Sequence, residues 1–250
     1  MNQNLAITQG RKSVPYWVVP VYKRLMVIAA LTLVGSAMAM GQDGDMQQKL
    51  AAAKQSIAEN QQKLRQYQWT ETTELTLKGD PKPPTQKLCQ YGPDGKVQKT
   101  PIGPPPPPPS GGRAKQRIIA NKTAEMKDYM GDVQGLLSMY VPPNPQKMQQ
   151  VRDAGNFSLN PAGGVVNLVF ANYAQPGDKL TLTFDPATKK VTALAVNTYM
   201  GETKDAVTLQ VQMGSLPDGT NYAWKTVLGA TAKQLVVTTT NSDYQKLGGN

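Results

Sequence analysis

Two glutamates three residues apart, Glu71 and Glu74, are the pairing that most invites acid–base chemistry in this 250-residue chain. They sit in Gln68 to Lys78, a run whose Trp and Thr content predicts a strand. Residues at an odd separation on a strand point to opposite faces, so the two carboxylates are expected apart, as solvent-facing charges. The remaining census is one of exclusions. With no histidine, the chain has no Ser/His/Asp or Cys/His catalytic set, no imidazole base and no His-containing zinc site. A single cysteine, Cys89, leaves neither a CxxC redox pair nor an intrachain disulfide. Pro161-Ala162-Gly163-Gly164 precedes a strand pattern rather than a helix, so it reads as a turn and not a phosphate loop. Asp178, Asp185 and Asp218 stand in turn sequences where Asp caps its own backbone, and no acidic cluster has calcium-loop spacing. An enzyme would have to converge groups such as Glu71, Tyr129 and Lys225, and nothing in the spacing draws them together. The reading is of a protein that is not an enzyme and uses neither cofactor nor metal.

Charge narrows the partners. Lys and Arg number 27 against 17 Asp and Glu, a formal net charge of +10, but the basic residues are scattered at intervals. Nucleic-acid binding would call for a clustered basic stripe interleaved with exposed aromatics, so no nucleic-acid partner is expected. Residues 1–39 contain no acidic residue. They carry Arg11, Lys12, Lys23 and Arg24 ahead of an apolar run from Leu25 to Val34, then Ala37-Met38-Ala39. This is the pattern of a secretory signal peptide cleaved after Ala39. The apolar run is too short for a membrane span, which needs about 20 residues. No cysteine directly follows the cleavage site to carry a lipid, the single Cys89 lying fifty residues further on. The expected product is periplasmic or secreted and does not span the membrane after cleavage.

The elements that remain are well marked. Met46, Leu50, Ala53, Ile57, Leu64 and Tyr67 form one apolar helical stripe, interrupted by Asn60 where a core residue is expected. After the first strand, Thr85 to Tyr91 and Val97 to Ile102 flank the hairpin turn Gly92-Pro93-Asp94-Gly95. Six prolines, Pro104 to Pro109, then form a polyproline II rod of roughly 19 Å, read as a spacer rather than a docking ligand. Arg113 to Tyr140 is a second amphipathic helix, and Asn144-Pro145 supplies the cap and first turn of a short third one through Ala154. From Gly164 to Thr240 come six strand patterns joined by tight turns such as Pro176-Gly177-Asp178 and Pro217-Asp218-Gly219. Short links favour antiparallel neighbours, and a sheet apolar on one face needs helices over it. The fold class is therefore α+β: an antiparallel meander with amphipathic helices covering its apolar face. The expected organisation is a signal at 1–39, an N-terminal helix and strands at 40–103, a polyproline/Gly linker loop at 104–112, helices at 113–155 and a β block at 156–250. Together they make one domain over 46–246.

The order of these elements resembles the periplasmic lipoprotein-carrier superfamily, the LolA-like outer-membrane lipoprotein sorting proteins. The stretches that carry the resemblance are Leu64-Arg65-Gln66-Tyr67-Gln68-Trp69, Ala171-Asn172-Tyr173 with Pro176-Gly177-Asp178-Lys179-Leu180, Phe184-Asp185-Pro186, Leu216-Pro217-Asp218-Gly219-Thr220 and Asn241-Ser242-Asp243-Tyr244. The hexaproline run departs from it. The resemblance implies a curved, half-barrel-like sheet and a hydrophobic cavity between sheet and helices. Its candidate lining is Met126, Met130, Val133, Leu182, Leu209, Val211 and Met213, its occupant a lipid or a lipoprotein acyl chain. The alternatives are that these side chains pack as plain core and that the protein is a ligand-free structural or interaction module with envelope-protein partners.

Overall fold

The computed structural model describes residue 55 and residues 58–104 and 112–248. The expected leader with its expected cleavage after Ala39, most of the expected first helix and most of the proline run lie outside the described residues. A helical segment at 58–64 (α1) leads into strands β1 (Tyr67–Leu77), β2 (Asp80–Tyr91) and β3 (Val97–Ile102). Helices α2 (Arg113–Leu137) and α3 (Pro145–Asp153) follow. Seven strands complete the chain: β4 (Phe157–Ala162), β5 (Val165–Ala171), β6 (Lys179–Asp185), β7 (Lys190–Tyr199), β8 (Ala206–Ser215), β9 (Asn221–Ala230) and β10 (Leu235–Lys246).

All ten strands join one antiparallel sheet in the order β3-β2-β1-β10-β9-β8-β7-β6-β5-β4. The fold is the expected α+β meander, with one strand more than the turn signals marked. β4 contains Pro161, which cannot donate to a ladder on both sides, and it forms an outer edge where that donor is not needed. β2 likewise begins earlier than expected, across Pro81, Pro83 and Pro84. Its partner β3 pairs only from Gln86 onward, so these prolines face an open edge.

Register converts the alternating pattern into rows of side chains across the sheet. One row runs Leu75, Val237, Leu228, Leu209, Val196, Leu180 and Phe170 from β1 to β5. Against this face α2 buries Tyr129, Val133 and Leu137, one turn apart, and α3 adds Met148 and Val151. Each fully buried Leu or Val contributes about 1.5–3 kcal/mol, so this face supplies the main drive to fold. The capping of α3 follows its sequence: Asn144 Oδ1 accepts from Gln146 N at 2.9 Å and Lys147 N at 3.1 Å, and Pro145 opens the first turn.

The exit of α2 is tied to the sheet by Asp178, which is almost fully buried. Its carboxylate accepts from the backbone N–H groups of Tyr173, Ala174 and Gln175 at 2.5, 2.9 and 2.7 Å, and from Tyr140 Oη at 2.5 Å. Asp185 and Asp218 also cap their own turns, through Ala187 N at 2.9 Å and Thr220 N at 3.0 Å. Among the described residues, no helix is long and apolar enough to cross a membrane.

Candidate functional site

The seven residues singled out as lining converge on one place. Val133, Leu182, Leu209 and Val211 are buried in the apolar cluster between α2 and the sheet, and Met126, Met130 and Met213 are half-buried against it. Their convergence follows from register: Val211 opposes Leu194, which opposes Leu182, while Leu209 stands one step along the same face.

Along β1 and β10 this face changes chemistry in steps. Leu77 opposes Leu235 and Leu75 opposes Val237, both apolar pairs. The next row is Thr73, Thr239 and Thr226, all buried, before Val211 continues it. One step on, Glu71 opposes Asn241. Beyond them, the Trp69 and Tyr244 rings stack with centroids 5.5 Å apart, and Tyr91 and Tyr222 close on the pair at 5.7 Å from Trp69 and 4.4 Å from Tyr244. A polarity gradient thus runs from aliphatic through hydroxyl and ionic to aromatic.

Glu71 corrects the expectation of a solvent-facing charge. It is 1% exposed and accepts a hydrogen bond from Lys99 Nζ of β3, whereas Glu74 is exposed as expected. Burial pushes the Glu71 carboxyl up to about 7, against a downward pull from Lys87 opposite it on β2. Burial likewise brings the Lys99 ammonium down to about 7. Between them on β2, the Cys89 thiol is fully buried and raised to about 12, by burial first and by the Glu71 charge second. A thiol held that high is inert at neutral pH. Tyr91 is raised to about 12 and Tyr244 higher still, both chiefly by burial.

Among the described residues, four buried polar atoms in this end have no hydrogen-bond partner: Trp69 Nε1, Tyr91 Oη, Tyr244 Oη and Asn241 Oδ1. The other end of the Asn241 amide is held, its Nδ2 donating to Ala223 O at 2.7 Å. The interrupting Asn60 of α1 has a definite task. Its Nδ2 donates to Asn221 O at 3.0 Å and its Oδ1 accepts from Asn221 N at 2.8 Å, where β10 no longer pairs with β9. At the C-terminal end of α1, a Cβ on Gly95 would fall 2.7 Å from the Arg65 guanidinium, which places Arg65 at the β2–β3 turn. The α1 segment therefore reaches from the β2–β3 turn to the start of β9, and Leu64 is 1% exposed.

Sequence reasoning missed the burial of Glu71, and it missed Lys99, Asn241 and the Trp69–Tyr244 stack. The available signal was parity: Trp69, Glu71, Leu75 and Leu77 fall on one face of the predicted strand. Among the described residues, no group of three or more His, Cys, Asp or Glu side chains could hold a metal ion.

No family model matches the chain, and no curated protein matches it. Among solved structures, it is similar to a DUF1329 family protein from Desulfovibrio piger at 8% identity, over 77% of this chain and 91% of that one, with a TM-score of 0.35. It is similar at 11% identity to a domain assigned to the outer-membrane lipoprotein-sorting proteins from Vibrio parahaemolyticus, over 77% of this chain and 92% of that one, TM-score 0.35. A LolA superfamily protein from Nitrosomonas europaea stands at 11% identity, 78% and 94% coverage, and the same TM-score of 0.35. Overlays this loose transfer no residue role.

Proposed function

We propose that this is an exported, non-catalytic envelope protein that carries a hydrophobic ligand, the acyl chain of a lipid or lipoprotein, between α2 and the inner face of the sheet. The observation that supports it is the margin of the apolar cluster. The half-buried side chains packed against the cluster include Met126 and Met130 on α2 and Met213 on β8. Thioether side chains adapt to irregular apolar shapes, which suits a lining that must admit chains of varied form. The helix also continues beyond its buried half. From Arg113 to Glu125 only Ile119 and Thr123 are half-buried among the described side chains, and Ile118 is 56% exposed. Ile118 is thus an exposed apolar side chain on the same helix as Met126 and Met130.

The test is native mass spectrometry of the protein exported by a bacterial host and purified without detergent, with organic extraction of what it carries. The expected result is near-stoichiometric acyl lipid, lost in Met130→Trp while the circular dichroism spectrum is unchanged. A protein of bare chain mass that also takes up no fluorescent fatty acid would overturn the reading in favour of a ligand-free interaction module.

A further inference from the structure

Resting on the carrier reading above, we propose that the polar end of the inner face, formed by Trp69, Tyr91, Tyr244 and Asn241, binds the uncharged glycerol-ester head of an amphiphile whose chain lies along β1 toward Leu75. The polarity gradient sets the orientation. Trp69 and Leu75 share a face of β1 six residues apart, about 20 Å at a rise of ~3.4 Å per residue. The hydroxyls of Thr73 and Thr239 mark the boundary between chain and head.

The unpartnered atoms set the chemistry. Trp69 Nε1 can only donate, Tyr91 Oη and Tyr244 Oη can donate or accept, and Asn241 Oδ1 can only accept. A head that satisfies all four must offer both carbonyl acceptors and hydroxyl donors, as a glycerol ester does. An ionised carboxylate offers acceptors alone and would leave Asn241 Oδ1 unmatched. A phosphate would add negative charge beside the buried Glu71, and a quaternary ammonium has no N–H or O–H to give. The segment α1 is seated next to this end by the paired Asn60–Asn221 hydrogen bonds, since Asn221 adjoins Tyr222, whose ring packs on Tyr244, so loading is expected to loosen that seat.

Monomyristin and myristate, which differ only in the head, separate the possibilities when titrated by calorimetry into wild-type protein and the Tyr91→Phe/Tyr244→Phe variant. Wild type is expected to prefer monomyristin by about tenfold, and the variant to lose that preference while its myristate affinity holds. Because the two hydroxyls have no partner among the described residues, the variant should melt no lower than wild type. Trp69→Phe, which removes the indole donor, is the second variant and should weaken monomyristin alone. Equal binding of both ligands by wild type, or a preference that survives in the variants, overturns the head site and leaves the carrier reading standing. Binding of neither ligand overturns both.

Discussion

A carboxylate and an ammonium buried together are costly to separate, because each was removed from water on the strength of the other. Glu71 and Lys99 are such a pair, and removing one partner is expected to cost about 3–5 kcal/mol at the pH where the survivor is charged. The direction with pH differs between the two variants. In the intact protein burial raises the Glu71 carboxyl from 4.5 to about 7, and the same burial makes the carboxyl left in Lys99→Met hold its proton more tightly in the folded state. Its penalty is absent below pH 4.5 and grows as pH rises to 7. In the intact protein burial lowers the Lys99 ammonium from 10.5 to about 7, and the same burial makes the ammonium left in Glu71→Gln bind its proton more weakly when folded. Its penalty is absent above pH 10.5 and grows as pH falls to 7. Lys99→Met should therefore be the more stable variant near pH 5 and Glu71→Gln near pH 9.5, as read by urea denaturation. An order that does not invert would mean that neither group is held against its charge. Strand parity made the opposite faces of Glu71 and Glu74 legible. It left open which face was inside, because Thr occupies both faces of β1 and weakens the contrast that Trp69 and Leu75 supply.

Helices and strands in this chain were legible wherever one face is apolar, and less so where a polar residue does the work of a core one. Asn60 breaks the apolar stripe of α1, yet it is buried and pairs with both the N–H and the C=O of Asn221. Asn60→Leu would restore the stripe and should still destabilise the fold, by about 1–3 kcal/mol, because it leaves a backbone donor and acceptor unpaired. Hydrogen exchange at the Asn221 amide should quicken in the same variant. A gain in stability would mean that the stripe, not the amide, seats α1. Asp178 belongs with it: a turn aspartate by sequence, it holds three backbone N–H groups and the Tyr140 hydroxyl, fastening the end of α2 to the β5–β6 connection. Asp178→Ala should cost about 3 kcal/mol or more, seen as a lowered denaturation midpoint. The turn was legible because Pro176-Gly177-Asp178 is local. Tyr140 was not, since its partner lies on a distant element. β4 escaped for the opposite reason: as an edge strand it buries little and carries a proline, so alternation is faint there.

The topology divides the sheet into a local half and a half that waits for the end of the chain. β4 to β10 are consecutive hairpins, whereas β1 enters the sheet by pairing with β10, Tyr67 opposite Lys246. Loop-closure entropy must be met before such a long-range pairing is rewarded, so the hairpin array should form first and β1, with β2 and β3 behind it, should dock late. That order also governs the candidate site. The apolar residues Met213 and Leu209 belong to the early half, while Glu71, Lys99 and Trp69 belong to the late one. Core truncations on the two sides should then separate in kinetics although they stand in one row: Leu209→Ala and Leu75→Ala should each cost about 2–5 kcal/mol at equilibrium. Leu209→Ala should mainly slow refolding, and Leu75→Ala should mainly speed unfolding. Stopped-flow chevrons of the two variants measure the difference. Equal slowing of refolding would place β1 in the nucleus, and the polar end of the face would then form together with the apolar end rather than close over it.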